Sequence, residues 1–176
     1  MQTYLELKVP LRTDTIWMNE LKDILNGLPV KWQNGYFHIT IAFLDKTPSN
    51  VDMASIIDTH LKDMEVPVLT FDKVDAFTAS KAGVHIINLT VSDIPEPFNR
   101  VVEEIRKDLK LQGGVIESGF KLHVTLGRLG ASIMPIAELQ ALINKLKMPA
   151  FSLTLLDLDY REFRGRVIKN WKLNYK

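Results

Sequence analysis

The sequence predicts an α+β fold made of two similar halves that come together as a pseudo-symmetric pair of lobes. Three observations predict it. The order helix, strand, helix, strand, strand occurs twice along the chain. Two strands at corresponding places carry the same His-x-Thr triplet, 85 residues apart. The strand pairs that close each half follow Pro67 and Pro149, 82 residues apart. Two copies are too few for a solenoid, which needs at least about three. The expected organisation is one bilobal domain over residues 1–176, with pseudo-repeats at about 10–91 and 96–176.

Each element has its own signal. Residues 3–9 alternate in strand fashion. Residues 13–27 read as an amphipathic helix, opened by Thr13 and Asp14, with Ile16, Leu21, Ile24, Leu25 and Leu28 apolar. Residues 36–44 (YFHITIAFL) form a strand, and 51–64 a helix. Residues 66–78 and 83–91 read as strands joined by a turn at 79–81. A helix is expected over 96–111, with Pro97 in its first turn and Gly113–Gly114 beyond its end. Residues 120–129 (FKLHVTLGRL) form a strand, and 135–147 a helix opened by Pro135. Two strands, 149–161 and 166–175, close the chain around Gly165. The N-terminal strand is expected to pair with one of the lobes.

Composition narrows the function classes. Of 176 residues, 46% are hydrophobic and 24% charged, and the net charge is +1. A broadly basic nucleic-acid coat is therefore absent, so any phosphate contact must come from a local cluster. There are no cysteines, which excludes disulfides, thiol nucleophiles and cysteine metal sites. No apolar run approaches the roughly 18 residues of a membrane span. The N-terminal residues lack the pattern of a signal peptide. The expected setting is cytoplasmic, without membrane contact, and a monomer is expected.

The chemistry concentrates in the two matched strands. Strict alternation puts Tyr36, His38, Thr40 and Ala42 on one face of the first, and Lys121, His123, Thr125 and Gly127 on the equivalent face of the second. The opposite faces (Phe37, Ile39, Ile41 and Phe43; Leu122, Val124 and Leu126) are apolar and read as core. Bringing the lobes together joins the two polar faces. Two imidazoles near neutral pH suit phosphodiester cleavage, one taking a proton and the other giving one. The threonine hydroxyls suit the non-bridging phosphate oxygens, and Lys121 adds a cation. Ala42 and Gly127 would leave room for the phosphate or sugar, and Tyr36 would stack on a base or bond phosphate. A single His-x-Thr is weak and common; the pair at the repeat offset is what carries weight. A zinc site is the rival use of two histidines, but neither segment has the short-spaced partners zinc needs. His60 and His85 have no counterparts at the offset and read as structural or surface residues.

At His38-Ile39-Thr40 and His123-Val124-Thr125 the chain resembles the 2H phosphoesterase superfamily, in particular the 2′-5′ RNA ligases and RNA 2′,3′-cyclic phosphodiesterases. The resemblance covers nearly the whole chain. It implies two antiparallel sheets facing across a central cleft with helices outside, and metal-free, cofactor-free chemistry. It implies a partner that is an RNA end or a small nucleotide with a 2′,3′-cyclic phosphate or a 2′-5′ linkage, opened to leave a 2′-phosphate. The assignment carried over is His123 activating water and His38 protonating the departing oxygen, the reverse being allowed by the pseudo-symmetry. The family's Arg-Pro before the second motif is replaced by Lys121-Leu122, which keeps a cation but loses the bidentate fork. Arg128 stands where the family often has arginine; alternation points it away from His123 unless the strand bulges. The loop 45–50 and the tail 161–166 (REFRGR) are candidate borders of the cleft, and the tail reads equally as a solvated hairpin turn. A non-catalytic module that binds a terminal phosphate is the competing function.

Overall fold

The structure is a computed structural model that describes residues 1–173. Its elements are β1 (Thr3–Val9), α1 (Ile16–Ile24), β2 (Lys31–Trp32), β3 (Phe37–Leu44), α2 (Met53–Leu61), β4 (Val68–Phe71), β5 (Lys73–Ala79), β6 (Val84–Thr90), α3 (Glu96–Leu111), β7 (Val124–Gly130), α4 (Ile136–Ile143), β8 (Phe151–Thr154), β9 (Asp157–Glu162) and β10 (Val167–Lys172). The α+β class and the antiparallel strands are as the sequence indicates. Residues 174–175 of the last expected strand lie outside the described residues.

Differences from the expected elements have local causes. Thr15, not Thr13, caps α1 by accepting from the Met18 amide. The core face of α1 is therefore Trp17, Met18, Leu21 and Leu25, and Ile16 is 87% exposed. The expected strand 66–78 breaks at Asp72 into β4 and β5, and 149–161 breaks at 155–156 into β8 and β9. In each case the first piece leaves the main sheet, and β4 and β8 pair with one another. The β5–β6 turn is a short 3-10 helix, Ser80–Ala82, ended by Gly83 at φ 64°. That left-handed conformation suits glycine.

The main sheet runs β10-β9-β1-β3-β7-β6-β5, with β2 also on β7. The N-terminal strand β1 lies between β3 and β9. The strand pair that follows His38 in the chain (β5–β6) sits beside the His123 strand. The pair that follows His123 (β9–β10) sits on the His38 side, next to β1. Each side of the sheet thus draws on both chain halves, and the halves interlock. One register pair, Ile39 with Val124, joins the two sides. Both residues are 0% exposed. The helices carry apolar stripes to the buried side: Ile57 and Leu61 of α2, Phe98, Val102, Ile105 and Leu109 of α3, and Leu139 and Ile143 of α4. Each fully buried Leu or Ile stabilises the fold by roughly 1.5–3 kcal/mol. In the β4–β8 pair, Phe151 packs on both Phe71 and Trp17 of α1.

Two bulges shape the sheet. Between β1 and β3 the register passes from Leu5–Ala42 to Glu6–Thr40, so Ile41 is the extra residue. Between β6 and β7 it passes from Ile87–Gly127 to Asn88–Thr125, so Leu126 is extra. The two bulged residues stand 85 apart, the offset of the histidines. A bulge breaks the ladder and reverses which side chains face which way beyond it. It also leaves a carbonyl to be satisfied. Arg106 of α3, 5% exposed, donates to the Ile41 carbonyl at 3.0 Å. The Gln33 amide, just past β2, donates to the Leu126 carbonyl at 2.8 Å.

Candidate active site

The site grows from the Ile39–Val124 pair. In antiparallel strands the neighbours of a pair sit opposite one another, so His38 lies across from Thr125 and Thr40 across from His123. All four project from the side opposite the buried Ile39 and Val124, and all four are partly exposed. Diagonal neighbours in such a ladder have Cα atoms about 7–8 Å apart, within which a phosphate fits between two rings. Among the described residues neither threonine hydroxyl has a hydrogen-bond partner in the protein. The polar faces expected to meet therefore do so side by side along the seam.

The bulges correct three expectations. Ala42 does not join the histidine face: beyond Ile41 the alternation reverses, and Ala42 is 0% exposed in the core while Phe43 turns outward. Gly127 does not make room for substrate either. A Cβ there would come within 2.9 Å of Val30 and 3.0 Å of Trp32, so glycine lets the segment around β2 close on β7. Arg128 moves the other way. Beyond Leu126 it turns to the side of His123 and Thr125, exposed, with Nη1 donating to Gln33 Oε1 at 3.3 Å. It lies close enough to disfavour the charged form of both histidines. Lys121 is exposed, with Nζ 3.7 Å from the Phe77 ring centre.

The two imidazoles are held differently. His123 stands just before β7, its ring edge-on to Phe77 at 5.1 Å between centres. Its Nδ1 is 2.8 Å from the Lys121 carbonyl. A carbonyl only accepts, so Nδ1 carries the proton and Nε2 keeps its lone pair. Among the described residues His38 Nδ1 has no hydrogen-bond partner, and it lies 3.6 Å from Glu6 Oε2. Burial, then the cations His123, Arg128 and Arg161, push His38 down to about 4. Burial is also the main cause that lowers His123, with Lys121 and Arg128 adding to it and the bond to the Lys121 carbonyl opposing it. Glu6 is not among the groups that move His38. At 3.6 Å the contact is no hydrogen bond, and burial raises Glu6 itself toward its neutral form.

Several members of this face were not singled out from the sequence. Tyr4, Glu6 and Lys8 of β1 and Asp159 of β9 line the His38 side, beside Arg161 of the tail that the sequence did mark. The Tyr36 hydroxyl donates to Glu6 Oε1 at 2.8 Å and accepts from Arg161 Nη1 at 2.8 Å. Burial and Glu6 raise the phenol. Tyr36 is thus held by its hydroxyl, with its ring 5.7 Å from that of His38. Lys8 pairs with Asp159 at 3.0 Å. Tyr4, Phe43 and Phe163 form an aromatic cluster beside His38, with Arg164 over Phe163. A signal existed in β1: charged residues alternate with Leu5, Leu7 and Val9 in TYLELKV, marking a face turned from the core. Arg161 belongs to this network, whereas Arg166 of the same tail pairs with Glu162. The loop 45–50 is tied through Asp45 to Val115 and Glu117.

The other histidines lie apart. His85 is 3% exposed and bonded to Thr78 and the Met134 carbonyl. His60 of α2 meets Asp108 of α3 at 3.0 Å. It borders a cavity of about 580 Å³ between those helices that neither His38 nor His123 lines. Among the described residues, no three His, Cys, Asp or Glu side chains gather as a metal-holding group. Among the described residues, no helix is long and apolar enough to cross a membrane.

Comparison with known proteins places the fold. A family described as LigT like Phosphoesterase matches residues 89–168, the stretch that carries His123 and Thr125. No curated protein sequence matches the chain. Among solved structures, Kluyveromyces marxianus Usb1 is 12% identical with a TM-score of 0.65, covering 98% of each chain. Escherichia coli LigT in complex with 3′-AMP is 15% identical with a TM-score of 0.57, covering 98% of this chain and 97% of its own. A further phosphoesterase is 15% identical with a TM-score of 0.58, covering 98% of both. In family profile over residues 89–168, and in fold over nearly its whole length, the chain resembles the LigT like phosphoesterases.

Proposed function

We propose that the protein is a metal-independent phosphodiesterase that opens 2′,3′-cyclic phosphates on nucleotides or RNA ends to 2′-phosphates, or cuts and joins 2′-5′ linkages. The observation that carries the reading is the set His38, Thr40, His123 and Thr125 around the Ile39–Val124 pair. His123, with Nδ1–H held by the Lys121 carbonyl, offers the Nε2 lone pair to a water. His38, when protonated, gives its Nε2 proton to the departing 3′ oxygen. The two threonine hydroxyls donate to the non-bridging oxygens as charge builds on them, and Arg128 and Lys121 offset that charge. In the joining direction the histidines exchange roles. Both rings lose their protons easily in the free protein, and an anionic phosphate between them favours their charged forms. The nucleotides in the complexes of E. coli LigT and of Usb1, 3′-AMP and uridine monophosphate, support a nucleotide or RNA end as the ligand class.

The test is hydrolysis of 2′,3′-cyclic AMP in EDTA by the wild type, His38→Ala and His123→Ala, resolving 2′- from 3′-phosphate. The expected result is 2′-phosphate from the wild type, unaffected by chelator. Each variant should lose about 10²–10⁴-fold in rate. A loss below about fivefold in both variants would remove the two-histidine mechanism. Saturable binding without product, on this and on 2′-5′ linked substrates, would leave a phosphate-binding module.

A further inference from the structure

Glu6 is a carboxylate in the middle of β1, between Leu5 and Leu7, and its side chain is fully buried. A charge so placed needs partners. Oε1 has them: the Tyr36 hydroxyl donates to it at 2.8 Å, and Arg161 Nη1 lies at 3.6 Å. Among the described residues Oε2 has no hydrogen-bond partner, and neither has His38 Nδ1. These two atoms face each other at 3.6 Å. A carboxylate oxygen accepts, and a protonated Nδ1 donates, so each supplies what the other lacks.

The pseudo-symmetry sharpens the point. Glu6 pairs with Thr40, and the residue paired with Thr125 is Asn88. The Asn88 amide donates to the Asp75 and Ile86 carbonyls at 3.2 and 3.3 Å. His123 takes its Nδ1 partner from the Lys121 backbone instead. One histidine therefore leans on a neutral carbonyl, the other on a buried carboxylate. The first arrangement leaves a neutral base; the second sets an acceptor beside Nδ1 for the moment that ring is protonated.

Resting on the phosphodiesterase reading above, we propose that Glu6 is a positioning residue for His38, taking the hydrogen bond from Nδ1–H so that the Nε2 proton is held ready for the leaving oxygen. At 3.6 Å the contact is longer than a hydrogen bond while His38 is neutral, and it shortens once Nδ1 is protonated, because a charged donor draws the carboxylate oxygen in. In the step, the water oxygen bonds to phosphorus as the bond from phosphorus to the 3′ oxygen breaks. His123 Nε2 takes the water's proton, and His38 Nε2 gives its own to the 3′ oxygen. Nδ1 of His38 keeps its proton, and exchange with solvent resets both rings. The other groups facing His38 are Tyr4 and Lys8 of β1, Tyr36, His123, Arg128 of β7, and Asp159 and Arg161 of β9. Asp159 is taken by Lys8 and Asn170, which leaves Glu6 to support the imidazolium.

The experiment is an NMR titration of both histidines in the full chain, wild type against Glu6→Gln. The expected result is a proton held at least about tenfold less tightly by His38 in Glu6→Gln, with His123 unchanged. Glu6→Asp, which keeps the charge, should restore part of the loss and replaces the glutamine variant if that fails to fold. Equal His38 titration in wild type and variant overturns the proposal. The second readout is kcat/KM against pH on 2′,3′-cyclic AMP. Glu6→Gln should move the limb that belongs to His38 toward acid pH and leave the other in place. A uniform drop with both limbs fixed would mean a merely structural role and also overturns it. If the wild type hydrolyses neither cyclic nor 2′-5′ substrates, the functional reading falls, while the titration still decides the contact between Glu6 and His38.

Discussion

At the scale of single residues, the two histidines are distinguished by what holds Nδ1 and by how far burial lowers each. His38 is pushed to about 4 and His123 below its ordinary value. Both therefore charge later in the folded than in the unfolded chain as pH falls. The unfolded state binds more protons in that window, so stability falls as pH drops from about 6.5 toward 4. Glu6, raised by burial, acts in the opposite sense above its ordinary value. We expect His38→Ala to flatten the loss of urea midpoint between pH 7 and pH 4; an unchanged slope would show that His38 is not depressed. The same directions place the optimum of kcat/KM on the acid side of 6.5, because catalysis needs one charged and one neutral ring. An optimum well above neutrality would contradict the proposed roles. Arg128→Ala removes a cation from the face and leaves the core alone. The expected outcome is a rate loss of about tenfold or more with little change in melting temperature.

At the scale of elements, the bulges at Ile41 and Leu126 decide the site. They turn Phe43 and Arg128 outward and send Ala42 and Gly127 inward. Each is held from outside its own ladder, Ile41 by Arg106 of α3 and Leu126 by the Gln33 amide. Arg106→Leu should cost about 1–3 kcal/mol for each buried carbonyl left bare, read as a lowered denaturation midpoint. It should also lower the rate, because Thr40 precedes the bulge it secures. Gly127→Ala tests the packing reading: overpacking against Val30 and Trp32 should cost about 1–3 kcal/mol. A stable protein with altered substrate affinity would instead return Gly127 to the substrate's side.

At the scale of the molecule, charge and topology set the kind of substrate. With a net charge of +1, the cations of the site are local: Lys121 and Arg128 at the seam, Arg161 and Lys8 tied to acidic partners. A short nucleotide is the expected fit, with one or two phosphate contacts. Raising salt from 50 to 200 mM should then weaken binding by less than about tenfold, against about 10³–10⁵ for a protein making 6–10 phosphate contacts. A steeper slope on long RNA would reveal an extended track.

Much of this was legible in the chain. Helix and strand periods, the proline and glycine stops and the matched triplets at His38 and His123 are local signals, and local signals survive in sequence because each depends on neighbours a few residues away. They determined the α+β class, the duplicated order and the four residues at the seam. The interlocking of the halves, the inward turn of Ala42 and Gly127, the outward turn of Arg128, and the placing of Glu6 beside His38 were decided only by the tertiary structure. Each depends on which strand lies next to which and where one extra residue enters a ladder. A period of two reports a face correctly until a bulge shifts it, and the pairing that imposes the bulge comes from residues far away in the chain.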